Sequence, residues 1–327
     1  MLAAWYERQG PPSEVLRVGE LPQPDPASGE VRVRITTSGI NPGDTKKRGA
    51  WPGSPMVFPR VIPHSDGAGV IDAVGDGVDP TRIGQRVWIY GAQSYRPFGT
   101  AAEWTCVPDV NAVPLPEQVS DEIGACLGIP GITAHRAVFG DGPVKGKYVL
   151  VHGVLGSVSS LAAQLATWAG ATVIGTVTRE ADLDRVDSAS VAHPVALDQA
   201  DPAEAIRRHA AAGIDRIIEV AFSDNADLDA KVAANDAVIA AYASRKDRPE
   251  IPFWPLLFAN VTIRLLGSDD FPADAKAQAA RDLSTAAAQG ALQIPIAPIR
   301  PLSEIAAAHE HVDHGPRNGR VLLRLQV

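Results

Sequence analysis

The stretch Val149-Leu-Val-His-Gly-Val-Leu-Gly-Ser-Val-Ser-Ser160 decides the fold. Its apolar start, with Tyr148 before it, reads as a buried strand that ends at Gly153, and Gly156 marks a tight turn. Val158, Leu161, Ala162, Leu165 and Ala166 then recur at the i, i+3, i+4, i+7 spacing of one helix face. A helix start leaves backbone N–H groups without intrahelical acceptors, which suits a pyrophosphate. Glycine lets the backbone come close to such a group. A G-x-G-x-x-G fingerprint laid on Val154 to Ser159 keeps Gly156 alone. By itself the segment therefore reads equally as a cofactor turn or as an ordinary strand-turn-helix.

Working outward, apolar runs alternate with helical segments. Thr172-Val-Ile-Gly-Thr-Val177, Arg216-Ile-Ile-Glu-Val220, Ala237-Val-Ile-Ala-Ala241 and Val261-Thr-Ile-Arg-Leu-Leu266 are the strand candidates. This spacing predicts βαβ units and a doubly wound parallel sheet. Before residue 120 the chain is rich in Pro, Gly and short β-type runs such as Val31-Arg-Val-Arg-Ile-Thr36, Val70–Val74 and Arg86–Tyr90. Those predict a small irregular barrel. Ser120 is a candidate N-cap for the Ala-rich stretch that follows. After about residue 270 an Ala-rich helix, a helix near Leu302–His311 and a strand at Arg320–Leu325 are expected.

A chain of 327 residues suits two domains. With 45% hydrophobic and 21% charged residues it reads as soluble and globular. No run approaches the roughly 18 apolar residues of a membrane helix, and Met1–Glu7 lacks the pattern of a signal peptide. Two cysteines, Cys106 and Cys126, exclude a disulfide framework and fit a reducing cytoplasm. A formal charge of -8 argues against nucleic acid or anionic lipid as a partner.

The second strand speaks to the cofactor. An NAD site places Asp or Glu about 20 residues after the first glycines, to bind the ribose 2′-OH. Gly175-Thr-Val-Thr-Arg179 has no acid and ends on a cation suited to a 2′-phosphate. The alternative is a solvated surface arginine.

Further motifs carry a resemblance over the whole chain. Ser38-Gly-Ile-Asn-Pro-Gly-Asp44, Pro63-His-Ser-Asp-Gly-Ala-Gly69, Val74-Gly-Asp-Gly-Val78, Gly84-Gln-Arg-Val87 and Leu127-Gly-Ile-Pro-Gly-Ile-Thr-Ala134 are its anchors. The chain resembles the medium-chain dehydrogenase/reductase superfamily, in its zinc-free, zeta-crystallin-like quinone oxidoreductase branch. Residues 150–159 are similar to that family's VHGAAGGVG turn, with Ser157 and Ser159 as departures. The resemblance implies a split GroES-like catalytic domain, residues 1–120 and 267–327, around a Rossmann NADP-binding domain, 121–266. It also implies a cleft with the nicotinamide at its floor.

Zinc-containing relatives bind a catalytic metal through Cys, His and a second Cys or Asp. The matching positions here are Asn41 and Ser65, no cysteine stands shortly before Thr133, and the four-cysteine structural run is absent. No metal is therefore expected, and His64 reads as a turn or hydrogen-bonded structural residue. Without a Lewis acid, quinones and activated enones are easier hydride acceptors than simple carbonyls. Lys46 stands where many relatives carry a tyrosine, so it is a candidate proton donor, or else part of a solvated basic loop. Asn41 is a candidate donor to the substrate oxygen, and Thr133 resembles the family threonine near the nicotinamide ribose.

The expected cofactor is NADPH, held by Thr133, Gly153, Gly156, Ser157, Val158, Thr176, Thr178 and Arg179. The expected pocket wall is aromatic, with Trp51, Tyr90, Tyr95 and Trp254 foremost and Phe253 and Phe258 as further candidates. The acceptor is a small quinone, or alternatively an enone reduced at C=C. A third reading is a weakly catalytic NADPH-binding sensor or structural protein. The apolar edge strand Val261–Leu266 predicts a homodimer.

Overall fold

The computed structural model describes residues 1–51, 54–316 and 318–325. Two compact units emerge. One comprises Met1–Pro130, Ala280–Ala288 and Ile294–Val327; the other comprises Gly131–Ala279 and Gln289–Gln293.

The second unit is built on a six-stranded sheet. From one edge to the other the strands are His193–Ala196, Thr172–Val177, Tyr148–Val151, Ile214–Glu219, Ala233–Ala241 and Thr262–Leu265, every neighbouring pair parallel. Numbered along the chain this order is 3-2-1-4-5-6, the Rossmann arrangement. Its core gathers Leu150, Ile174, Ile206, Ile217 and Ile239. Such near-continuous burial is what parallel strands covered on both faces require.

Thr172–Val177 falls where the sequence placed it. His193–Ala196 is a strand that sequence reading missed, because Pro194 breaks its pattern. That strand lies at the sheet edge, where proline is tolerated. The helices Pro202–His209, capped by the Asp201 side chain, and Phe222–Val232 supply two of the crossovers.

The first unit holds a seven-stranded, mostly antiparallel sheet. Its central strand, Glu30–Gly39, alternates buried and half-buried residues along Val31, Val33 and Ile35, as the alternating sequence predicts. It pairs with Asp66–Val74, Trp104–Pro108 and, from the far end of the chain, Leu322–Arg324. The strand order runs open from Arg300–Pro301 to Ala112–Pro114, so among the described residues the expected small barrel does not close on itself. Ser120 caps Asp121–Gly124 as expected, its hydroxyl accepting from the Ile123 amide. No helix is long and apolar enough to cross a membrane, among the described residues.

Candidate active site

The strand Tyr148–Val151 delivers the chain into the glycine turn, and the helix Ser157–Trp168 leaves it with Gly156 as N-cap. Gly153 has φ +64, a left-handed conformation that a side chain resists, and a Cβ there would press on Val220. The amides of Gly153, Val154 and Gly156 are used inside the turn, on Thr176 Oγ1, the Thr176 carbonyl and the Gly153 carbonyl. Helix geometry leaves those of Ser157, Val158 and Ser159 ahead of the first intrahelical acceptor, and no internal acceptor engages them among the described residues. They form a donor set for an anion.

Ser159 is not an eroded glycine. It is fully buried, and its hydroxyl donates to the His152 carbonyl at 2.7 Å. That proton being committed, the Tyr242 hydroxyl donates to Ser159 Oγ at 2.7 Å. Ser157, the other departure, is exposed. Thr176 is fully buried, its hydroxyl engaged with His152 and Gly153, so it supports the turn from within. Thr178 and Arg179 are exposed beyond the strand end. Arg179 pairs with Asp182, which also takes Arg185 and thus meets two guanidiniums.

The first unit gathers a different set. Asn41 caps the helix Pro42–Arg48, and its backbone N–H donates to Asp44 Oδ2 at 2.7 Å. Its side chain is nearly buried and bonded twice. Nδ2 donates to Asp66 Oδ2 at 2.7 Å, and Oδ1 accepts from Arg320 at 2.8 Å. Asp66 Oδ1 also accepts from the Ile129 amide at 2.9 Å. Gly128 makes room for this carboxylate, since a Cβ there would lie 2.1 Å from Asp66 Oδ1.

Asp66 is fully buried, and burial pushes its pKa up to about 7, against the hydrogen bonds of Asn41 and Ile129 and the charge of Arg320. Asn41 therefore has one amide hydrogen still to offer. Sequence reading quoted Asp66 within a motif but gave it no role, and it passed over Arg320.

His64, fully buried with φ 77, is a hydrogen-bonded structural residue. Thr100 Oγ1 donates to the Asp66 carbonyl, so Ser38 must donate to Thr100 and accept from His64 Nδ1–H. The other nitrogen, Nε2, then accepts from His309 Nε2–H at 2.9 Å. Burial holds both imidazoles below the usual histidine range, hence neutral. His64 has no lone pair left for a metal.

Two predicted residues meet. The exposed Lys46 sets its ammonium over the Trp51 ring, 5.7 Å from the centroid. The residues expected in the aromatic wall differ in exposure. Tyr90 is buried, its hydroxyl donating to the Val110 carbonyl. Tyr95 is 72% exposed. Trp254 is 64% exposed and stacks with Phe258, with Phe253 edge-on beside it, on the helix Phe253–Phe258. Thr133 is buried within the helix Ile129–Phe139.

Comparison with known proteins identifies relatives of the whole chain. The alcohol dehydrogenase GroES-like domain matches residues 27–117. Mouse quinone oxidoreductase is 30% identical over 327 residues, covering 98% of this chain and 96% of its own. A Burkholderia 2-haloacrylate reductase is 30% identical over 212 residues, 63% of this chain and 62% of its own. Among solved structures, a mycobacterial protein complexed with NADPH superposes with a TM-score of 0.83, at 24% identity and 99% coverage of both chains. On the strength of the full-length match the chain belongs to the medium-chain dehydrogenase/reductase superfamily, as an enzyme of its quinone oxidoreductase-like branch.

Proposed function

We propose that the chain is an NADPH-dependent reductase that passes hydride to a quinone-type acceptor without a metal. The observation that carries this reading is the turn from Gly153 to Ser159, with three amides unengaged among the described residues at a helix start and the exposed Arg179 guanidinium, paired with Asp182, beyond the next strand. These features fit a dinucleotide. The amides of Ser157, Val158 and Ser159 would take the pyrophosphate, with Gly153 and Gly156 allowing close approach and Thr133 on the ribose side. Arg179 and Thr178 would take the 2′-phosphate. When bound, the reduced nicotinamide supplies the hydride.

The chain's own residues do the rest. Asn41, fixed by Asp66 and Arg320, offers its remaining amide hydrogen to the acceptor oxygen as charge develops there. The Lys46 ammonium supplies positive charge on the solvent side. In domain terms we assign catalysis to residues 1–120 and 267–327 and nucleotide binding to 121–266.

Arg179→Ala tests the cofactor assignment. A charge-assisted bond is worth about 1.5–3 kcal/mol, or roughly 10- to 150-fold. At 67% side-chain exposure, and with Asp182 competing, the lower end applies. The variant should bind NADPH about tenfold more weakly and NADH unchanged, as read by titrating either nucleotide. Equal weakening of both would make Arg179 a support of the fold.

The Burkholderia relative's name favours a second reading, reduction of an electron-poor C=C bond. Steady-state rates on matched quinones and enones separate the two, by whichever class gives the higher kcat/KM.

We also propose a homodimer. Thr262–Leu265 is the sheet edge, Leu265 is 75% exposed, and Trp254 and Phe258 stand exposed on the helix just before it. Pairing two such edges about a two-fold axis would cover them. Light scattering at micromolar concentration should give twice the chain mass. Ile263→Pro, which removes a ladder donor, should give monomers or aggregates.

A further inference from the structure

A charged cluster lies in the core directly behind the nucleotide turn. His152, the residue before Gly153, is fully buried, as are Glu219 at the end of the neighbouring strand and Asp229 on the helix Phe222–Val232. His152 Nε2 is 2.9 Å from Asp229 Oδ1 and 3.7 Å from Glu219 Oε2. Glu219 Oε1 accepts from the Ala221 amide and from Asn225 Nδ2. The remaining oxygens, Glu219 Oε2 and Asp229 Oδ2, are buried without a hydrogen-bond partner. Two carboxylates and one imidazole cannot all sit ionised here without a net negative charge in the core.

Protons meet this need. Burial raises the Glu219 pKa, with His152 opposing. For His152 burial acts downward, but the bonded Asp229 and nearby Glu219 bring it above the ordinary value. A metal is the other resident this residue set suggests. However, an Nε2–H that donates to Asp229 has no lone pair to give one.

The cluster is wired to both ends of the turn. His152 Nδ1 meets Thr176 Oγ1 at 3.0 Å, and the same oxygen accepts the Gly153 amide at 3.2 Å. At the far end the Tyr242 hydroxyl donates to Ser159, and Ser159 donates to the His152 carbonyl. In neutral His152 with Nε2–H, Nδ1 accepts the Thr176 hydroxyl proton. In the imidazolium, Nδ1–H donates to that oxygen instead, and the Thr176 hydrogen must turn away. Tyr242 is the remaining titratable neighbour, and burial pushes its hydroxyl far up, so it stays protonated.

We propose that His152, Glu219 and Asp229 form a proton-loaded positioning cluster for the nucleotide turn, so that affinity for an anionic dinucleotide falls when the cluster gives up its proton. His152 acts through the turn and is a positioning residue. Loss of the proton takes the cluster from neutral (imidazolium, one carboxylate, one carboxylic acid) to one net negative charge. That charge stands behind the amides that receive the pyrophosphate, where one unit in a partly screened medium is worth about tenfold in affinity.

The inference rests on the dinucleotide reading of the turn, and its test keeps the two apart. NADH is the main probe, because its pyrophosphate does not titrate between pH 6 and 9; NADPH is run beside it. Dissociation constants of the apo-protein for each should rise about tenfold across that range in the wild type. In Glu219→Gln the slope should persist, because His152 beside Asp229 still passes from a neutral pair to one negative charge, whereas in His152→Gln, which lacks the titrating imidazole, it should flatten. Histidine NMR of the nucleotide-free wild type should show His152 protonated at neutral pH and losing its proton within the same range. Nucleotide binding with a flat profile, an unchanged slope in His152→Gln, or a His152 resonance neutral throughout would each overturn the proposal. If neither nucleotide binds at any pH while His152 titrates as expected, it is the dinucleotide reading that falls, together with the proposed consequence for affinity.

Discussion

Asp66→Ala should lose roughly 2–4 kcal/mol of stability at about pH 5, measured by equilibrium urea unfolding, since each buried donor left unsatisfied costs about 1–3 kcal/mol. The change strands two donors at once, the Asn41 amide and the Ile129 backbone N–H, and takes a nearby opposite charge from Arg320. Asp66→Asn keeps the shape and still fails in part. A carboxylate accepts through both oxygens, whereas an amide must turn its NH2 toward one of the two donors.

The two variants also differ from wild type in pH dependence. The folded pKa of about 7 lies above the unfolded 3.8, so between these values the folded state holds a proton that the unfolded state has lost. Stability from this group is full below about pH 4 and falls as pH rises to about 7, by about 1.4 kcal/mol per unit. That slope should vanish in both variants. Activity should fall with the contact. Asn41 released from Asp66 keeps only the Arg320 bond and no longer points one amide hydrogen, and a loss of about a hundredfold in kcat/KM is the expected scale for lost positioning.

Arg216→Met should be comparably destabilising, by roughly 3–5 kcal/mol, but without altering the pH profile or the reaction itself. Arg216 is 2% exposed within the strand Ile214–Glu219. It donates to the carbonyls of Ala137, Val138 and Asp141, where the helix Ile129–Phe139 runs out of intrahelical donors. Methionine fills most of the space and leaves those carbonyls unsatisfied in the interior. A drop in urea midpoint with unchanged kcat/KM in the remaining folded enzyme is the expected signature. A midpoint within 1 kcal/mol of wild type would show that water reaches the helix end.

The periodic parts of the fold were legible in the sequence. Thr172–Val177 and Glu30–Gly39 follow from apolar runs and alternation, and the helix Ser157–Trp168 from its stripe and the glycine before it. Those patterns are local, as the forces that set them are. The site was legible only as far as its motifs. Asn41 was read as a donor aimed at substrate, yet most of its capacity is spent on Asp66 and on Arg320, which is 279 residues away.

His152 was read as part of a buried strand, which in fact stops one residue earlier at Val151, and nothing local announces Asp229, 77 residues on. A signal was available. Arg216 and Glu219 are charged residues inside the otherwise apolar run Arg216–Val220, and such residues must find partners in the core. Ser157 and Ser159 read as losses from a glycine pattern, but the structure gives Ser159 two hydrogen bonds that a glycine could not make.

The late pairing of Leu322–Arg324 with Glu30–Gly39 has a consequence for synthesis on the ribosome. At about 5–20 residues per second the nucleotide-type sheet emerges whole while the central strand of the other unit, already beside Asp66–Val74 and Trp104–Pro108, still lacks this last neighbour. Closing so long a loop adds little entropic cost beyond that of a shorter one, so the delay is one of delivery and not of thermodynamics. The same closing segment brings His309 to His64 and Arg320 to Asn41. A nascent chain thus acquires its nucleotide turn early and its fixed Asn41 last, and a product released before Arg320 could hold a dinucleotide while lacking the geometry to use it.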